Sequence, residues 1–173
     1  MRQVIKIFVC FLYILLASGL HAETVQQRMP VASNGETVVV ADSAKLGVRV
    51  KIRTHEVQIG KPSDKRPDVI RSGCTYSKYP CSIVDYIDIA VNSKPIIVPR
   101  SVFCNLADLN TAEVRIKQKE AILTLTAGDA SESYIVKIEF DTERVKRKSE
   151  YWSEYSKDEP SEETTYHKLI LGN

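Results

Sequence analysis

The sequence YIVKIEFD, residues 134–141, carries the clearest strand pattern in the chain. Tyr134, Val136, Ile138 and Phe140 are apolar, and the side chains at positions 137, 139 and 141 are charged. Because successive side chains of a strand point to opposite faces of a sheet, this alternation predicts a strand with one buried face.

The same period of two recurs through most of the chain. It is found in the segments 46–52, 83–91, 114–116 and 121–125, and further strands are predicted at 96–98, 145–152 and 164–171. Past Thr54 the apolar positions change phase, which predicts a β-bulge or a new strand there. Val102, Phe103, Leu106 and Leu109 instead recur at helical spacing, so we expect one short helix near 101–110. Together the patterns predict a mainly β fold, a small antiparallel meander closed into a barrel or a sandwich.

The first 22 residues resemble an export signal. Arg2 and Lys6 precede an apolar run at 7–17, and Ala22 ends the segment at a small-residue cleavage site. This pattern predicts a signal peptide at 1–22 that is removed on export, and the apolar run is too short to span a membrane. We therefore expect a periplasmic or secreted protein with a flexible N-terminal arm at 23–35 and a single β-rich domain at 36–171.

The charge balance argues against a nucleic-acid partner. The chain has 24 Lys and Arg residues and 22 Asp and Glu residues, and the two cations of the signal account for the excess. The exported part would then have no net formal charge, whereas nucleic-acid-binding domains are typically basic. No nucleic-acid partner is expected.

Three cysteines remain after signal removal. Cys74 and Cys81 flank six residues, a spacing that closes easily into a disulfide in an oxidising compartment. We predict that pair, with Cys104 left free. A bond from Cys104 to Cys74 or to Cys81 is the alternative.

Two aromatic segments are candidate partner-binding sites. The first is the disulfide loop, with Tyr76, Lys78 and Tyr79, and the second contains Trp152 and Tyr155. Tyr and Trp offer a large contact area at a small cost in conformational entropy, so we predict that these five residues bind a partner. The alternative is that they pack on the sheets.

A cationic stripe is the third candidate. Arg49, Lys51 and Arg53 alternate along one predicted strand and so share a face. They form a candidate anion-binding site for sulfate, phosphate or an acidic protein surface. An ordinary solvated sheet face gives the same pattern.

Catalysis finds little support in the sequence. His55 and His167 are far apart along the chain and have no second ligand at metal-binding spacing. Cys104 would lie one helical turn from Asp108, whose charge disfavours a reactive thiolate. Asp85 falls on the apolar face of its predicted strand. We therefore predict no catalytic residue, no metal and no cofactor.

These observations favour an exported, non-enzymatic binding protein that acts through surface complementarity, such as an enzyme inhibitor or a toxin-neutralising immunity protein. The alternative is an envelope-associated structural module that binds glycan or anionic lipid. A small thiol or hydrolytic enzyme ranks third.

Overall fold

A computed structural model describes residues 24–25, 28–60, 73–75, 78–152 and 159–168, and within these ranges the chain forms eleven strands. In chain order they are β1 (Thr24–Val25), β2 (Met29–Pro30), β3 (Gly35–Asp42), β4 (Gly47–Val57), β5 (Cys81–Val91), β6 (Lys94–Ile96), β7 (Leu109–Lys117), β8 (Glu120–Ala127), β9 (Tyr134–Phe140), β10 (Val145–Trp152) and β11 (Glu162–Thr165).

The strands divide between two antiparallel sheets. One sheet has the order β3, β4, β5, β6, and the other has the order β1, β7, β8, β9, β10, β11, with β2 also pairing with β7. The predicted mainly β, antiparallel fold is confirmed. Over the described residues the two sheets form a sandwich and do not close into a barrel.

The core lies between the inward faces of the two sheets. Its largest fully buried side chains include Ile52, Ile87 and Ile89 from the first sheet and Leu123, Leu125, Ile138 and Phe140 from the second. Each such side chain stabilises the fold by about 1.5–3 kcal/mol when it is removed from water. The alternation that predicted the strands is therefore also the pattern that builds the core.

The connection from β6 to β7 carries the chain from one sheet to the other. Its helical part is a single 3₁₀ turn, Arg100–Val102, which is shorter than the helix predicted near 101–110. Leu106 and Asp108 instead form backbone hydrogen bonds with Val84 and Ser82 of β5. Because the backbone after the turn pairs with this sheet edge, it cannot continue as a helix.

The predicted change of phase at Thr54 is a bulge. Arg53 of β4 lies opposite Tyr86 of β5, but the next residue, Thr54, lies opposite Val84. Asp85 is therefore the extra residue of β5, and its side chain is exposed. The prediction that Asp85 lies on the buried face is wrong, because the bulge reverses the side to which this position points.

Both ends of the chain differ in detail from the sequence prediction. Within the segment predicted as an arm, β1 and β2 pair with β7. The last strand, β11, lies at Glu162–Thr165, earlier than the predicted strand at 164–171. Residues 1–23, which include the predicted signal, lie outside the described part.

Candidate functional site

The disulfide is the one that the sequence predicts. It joins Cys74 to Cys81 with a Cα–Cα distance of 5.7 Å, and Cys104 is free and exposed. Cys81 is the first residue of β5 and lies opposite Val57, the last residue of β4. The bond therefore ties the loop to the end of the four-stranded sheet. Tyr76, one of the predicted binding residues in the loop, lies outside the described residues.

The carboxylate of Asp108 anchors this disulfide loop. Asp108 is only 2% exposed; its Oδ2 accepts the backbone N–H of Thr75 at 2.7 Å, and its Oδ1 accepts that of Ser82 at 2.9 Å. Hydrogen bonds to a charged acceptor are each worth about 1.5–3 kcal/mol. Gly73 just before the loop has φ +93°, and a Cβ there would lie 2.5 Å from the carbonyl oxygen of Asn105, so only glycine fits.

Lys78 holds the loop against the second sheet. Its Nζ donates to Oδ1 of Asn110 at 2.7 Å, and Nδ2 of Asn110 donates to the carbonyl oxygen of Gly128 at 2.7 Å. The Lys78 ammonium is thus already engaged within the fold. The neighbouring Tyr79 is half-buried. Of these two predicted binding residues, Tyr79 is the one that offers surface for a partner.

Trp152 packs on the fold through an aromatic stack. Its ring lies over the ring of Tyr134, with 4.8 Å between the centroids and 24° between the planes, and Trp152 is half-buried. The Tyr134 hydroxyl donates to the carbonyl oxygen of Ala107 at 2.7 Å and accepts the Ala107 N–H at 3.1 Å. Burial raises the pKa of Tyr134, while the hydrogen bond to Ala107 partly opposes the shift. Tyr155 lies outside the described residues.

These contacts bring two distant segments of the sequence to one end of the sandwich. β7 and β9 begin at this end, and β8 and β10 finish there. Asp108 bonds the disulfide loop, and the adjacent Ala107 bonds the Tyr134 ring on which Trp152 stacks. We call this part of the molecule the aromatic end; its defining members are Lys78, Tyr79, Tyr134 and Trp152.

The cationic stripe lies elsewhere, on the outer face of the four-stranded sheet. Arg49 and Arg53 are exposed, and Lys51 between them is partly covered. Nζ of Lys51 lies 3.3 Å from Oε2 of Glu36 on β3, and Asp88 of β5 lies opposite Lys51. Among the described residues no carboxylate lies within ion-pair distance of either arginine. Two of the three predicted cations are therefore open to solvent.

A pocket of about 280 Å³ lies beside the bulge in β5. The residues that line it include His55, Asp85, Arg100 and Cys104. Nδ1 of His55 lies 2.6 Å from Oδ1 of Asp85, and both side chains are partly exposed. Sequence reasoning missed this grouping, since it placed Asp85 inside the sheet. The change of phase at Thr54 could have predicted it. A bulge at that point turns Asp85 outward, to the same surface as His55.

A second polar group missed by sequence reasoning is buried between the sheets. Lys148 and Glu150 point inward from β10, with side chains only 5% and 4% exposed, and Nζ of Lys148 lies 2.6 Å from Oε1 of Glu150. Asn105 bonds both of them: its Oδ1 accepts from Lys148 at 2.7 Å, and its Nδ2 donates to Glu150 at 2.9 Å. This closed network fixes the linker between the sheets to β10.

Searches for a metal site, a membrane span and similar proteins give no indication of function. In the described part of the chain, no three His, Cys, Asp or Glu side chains are grouped so that they would hold a metal ion. None of its helices is long and apolar enough to cross a membrane. Neither protein-family models, curated proteins nor solved structures give a match to this chain. Function must therefore be inferred from the geometry of three features: the aromatic end, the cationic stripe and the pocket.

Proposed function

We propose that the protein is an exported, non-enzymatic binding protein that recognises another protein by surface complementarity, as enzyme inhibitors and toxin-neutralising immunity proteins do. The observation that supports it is the convergence at the aromatic end. The disulfide loop and the Trp152 segment are about 70 residues apart in sequence. The loop nevertheless bonds the Asp108 carboxylate, and Trp152 stacks on Tyr134, whose hydroxyl bonds the backbone of the adjacent Ala107. Segments that cluster at one end of a β-sandwich are well placed for recognition, because a rigid scaffold holds them at the surface.

The aromatic end is also held rigidly before any partner binds. The Cys74–Cys81 bond and the two amide hydrogen bonds that Asp108 accepts restrain the loop, and the stack on Tyr134 restrains Trp152. Such preorganisation lowers the entropic cost of association. Half-buried Tyr and Trp side chains supply the aromatic contacts that dominate many protein interfaces.

Export is the second part of the proposal. It is supported by the signal-like sequence at 1–22 and by the Cys74–Cys81 disulfide, since disulfides persist mainly in oxidising compartments. A periplasmic or secreted location follows. There a disulfide-tethered loop keeps its shape, which a reducing compartment would not allow.

The test is quantitative capture from an extract of the export compartment. The protein without residues 1–22 is immobilised, and bound protein is compared for the wild type, Tyr79→Ala and Tyr86→Ala. Tyr86 is a matched control, because it is also half-buried but lies on the outer face of the four-stranded sheet. We expect the wild type to capture a stoichiometric partner. Its affinity should fall about tenfold or more with Tyr79→Ala, because one aromatic anchor of the interface is lost. Tyr86→Ala should leave the affinity unchanged.

A second pair of variants tests the loop itself. Lys78→Ala removes the bond to Asn110, whereas Lys119→Ala removes an exposed lysine from the β7–β8 turn at the opposite end of the sandwich. We expect weaker capture only with Lys78→Ala. Undiminished capture by both Tyr79→Ala and Lys78→Ala, or no stoichiometric partner, would remove the aromatic end as the recognition site.

The exposed arginines favour one alternative, an envelope-associated module that binds glycan or anionic lipid. Arg49 and Arg53 would contact the anionic groups, and the attraction would weaken at high salt because exposed charges are screened. The test is sedimentation with phosphatidylserine vesicles, with phosphatidylcholine vesicles for comparison. Salt-sensitive binding that is lost in Arg49→Gln/Arg53→Gln but kept in Lys117→Gln/Lys119→Gln supports this alternative, and equal sedimentation with both lipids excludes it.

A further inference from the structure

The pocket beside the bulge combines a free thiol, an imidazole and a guanidinium. Cys104, His55 and Arg100 line it together with Asp85, and apolar surface comes from Val57, Ile83 and Phe103. We infer that Cys104 is a site of thiol–disulfide exchange with small disulfides that carry carboxylate groups. The protein would be thiolated at this cysteine independently of its partner at the aromatic end.

The pairing of His55 with Asp85 prepares the imidazole for this reaction. The 2.6 Å contact between Nδ1 of His55 and Oδ1 of Asp85 places the ring proton on Nδ1, because a carboxylate accepts hydrogen bonds. Nε2 then has the free lone pair and can accept a proton. The pocket thus contains the three components of an activated nucleophile, which are a thiol, an imidazole and a group that orients the imidazole.

The backbone around Cys104 differs from the helix that the sequence predicts. The backbone N–H of Cys104 donates to the carbonyl oxygen of Arg100 at 2.9 Å, so the guanidinium belongs to the same turn of chain. The predicted unfavourable neighbour, Asp108, directs its carboxylate to Thr75 and Ser82 of the disulfide loop region instead. The helical spacing that would have placed Asp108 beside Cys104 is absent from this turn.

Tyr166 and Glu150 are two further ionisable groups near this turn in the described part of the chain. Burial raises the pKa of Tyr166, and the hydrogen bond with Ser101 partly opposes the shift. Glu150 is paired with Lys148 and bonded to Asn105. Neither group therefore adds an uncompensated negative charge beside the thiol.

The walls of the pocket match the reactant. A guanidinium pairs with a carboxylate through two parallel hydrogen bonds, and the apolar side chains accommodate the carbon–sulfur part of a small disulfide. Attack on a sulfur atom develops no oxyanion, so the reaction needs a thiolate, a proton acceptor and access, and no oxyanion hole. Exposure of Cys104 supplies the access.

The small disulfide is the only oxidant that this exchange requires. The Cys104 proton moves to Nε2 of His55, and the thiolate Sγ attacks one sulfur of the disulfide. A Cys104 Sγ–S bond forms as the S–S bond of the small molecule breaks, and the departing thiolate takes the proton from His55. The products are the thiolated protein and one free thiol; the small disulfide is reduced and Cys104 is oxidised.

The test compares two disulfides that differ only in their carboxylates. The protein without residues 1–22, with the Cys74–Cys81 bond intact, is incubated with cystine or with cystamine near pH 6.5, and the half-molecule added to Cys104 is followed by mass spectrometry. We expect cystine to react about tenfold faster, a factor that corresponds to one charge-assisted contact. Arg100→Gln should abolish the preference, while Lys119→Gln, which removes an exposed cation of the β7–β8 turn outside the pocket, should keep it.

The imidazole is tested in the same assay. His55→Gln should slow the reaction with both disulfides about tenfold near pH 6.5, because the variant lacks the base that we propose accepts the thiol proton. Equal rates for cystine and cystamine in the wild-type protein, or rates that neither Arg100→Gln nor His55→Gln changes, would show an ordinary exposed thiol and overturn the inference. Circular dichroism confirms that these variants of exposed residues remain folded.

Discussion

The ring of Trp152 lies on the ring of Tyr134, with 4.8 Å between the two centroids. The first residue of β9 and the last residue of β10 are thereby joined at the edge of the core, and the Tyr134 hydroxyl extends the contact to Ala107 in the linker between the sheets. The same stack has two consequences. It closes the core at this end, and it fixes the aromatic surface that we propose for recognition.

Shortening Trp152 should therefore reduce stability in steps. Trp152→Phe keeps a smaller ring on Tyr134 and should cost about 1 kcal/mol. Trp152→Ala removes the stack and should cost about 2 kcal/mol, less than for a fully buried ring because Trp152 is half-buried. Urea unfolding followed by circular dichroism measures both, with Lys119→Ala as an exposed control. A Trp152→Ala variant as stable as the control would show that the stack contributes nothing.

Substitution of Asp108 should loosen the disulfide loop. Asp108→Ala removes both acceptors of the Thr75 and Ser82 amides and should cost about 3 kcal/mol, whereas Asp108→Asn keeps one oxygen and should cost less. Asn also tolerates the left-handed backbone at this position, where φ is +49°. Hydrogen exchange of the two amides gives the site-specific measurement. Equal protection in the wild type and Asp108→Ala would mean that the carboxylate does not hold the loop.

Much of the fold could be predicted because most of its strands alternate between buried and more exposed residues. In β9 the buried residues are those that the alternation indicates, Tyr134, Val136, Ile138 and Phe140. The disulfide followed from the local spacing of two cysteines. Both patterns depend on neighbours in the sequence, and for this reason a single sequence suffices to recognise them.

The pocket and the linker could not be predicted in the same way. One extra residue in β5 reverses the side on which Asp85 lies, so the pair with His55 depends on the register of two strands. The helical spacing of Leu106 and its neighbours was outweighed by backbone pairing with β5. Lys148 is compensated by Asn105, which lies 43 residues away. Each of these features depends on contacts distant in sequence.

The buried pair of Lys148 and Glu150 should be far more important for stability than an exposed pair of similar geometry. Lys148→Met leaves a buried carboxylate with only Asn105 as a partner and should cost about 3–5 kcal/mol. Arg147 and Glu139 are also 2.6 Å apart but partly exposed, and Arg147→Met should cost under about 1 kcal/mol.

A double variant distinguishes the loss of the Lys148–Glu150 ion pair from the cost of leaving one charge buried without its partner. Lys148→Met/Glu150→Leu removes both charges and should cost less than Lys148→Met alone, since no unpaired charge remains inside. Urea unfolding of the two single variants and the double variant gives the coupling free energy. Equal costs for Lys148→Met and Arg147→Met would contradict a buried network.

Stability should fall in alkaline solution because of Tyr134. Its folded-state pKa is raised by burial, whereas in the unfolded chain the phenol ionises near its ordinary pKa of about 10. Below that pH both states are protonated and the contribution is complete. Above it the unfolded state releases a proton that the folded state retains, so the free energy of unfolding decreases as pH rises. Tyr166, whose pKa is also raised by burial, acts in the same direction.

Urea unfolding at a series of pH values from about 8 to 11 measures this slope. Tyr134→Phe removes the phenol and should flatten the decrease above about pH 10, at the cost of about 1 kcal/mol near neutral pH for the lost hydrogen bonds to Ala107. Tyr86→Phe, which removes a half-buried phenol from the sheet surface, serves as the control. If the free energy of unfolding of Tyr134→Phe fell with pH as steeply as that of the wild type, ionisation of Tyr134 would not be the cause of the decrease.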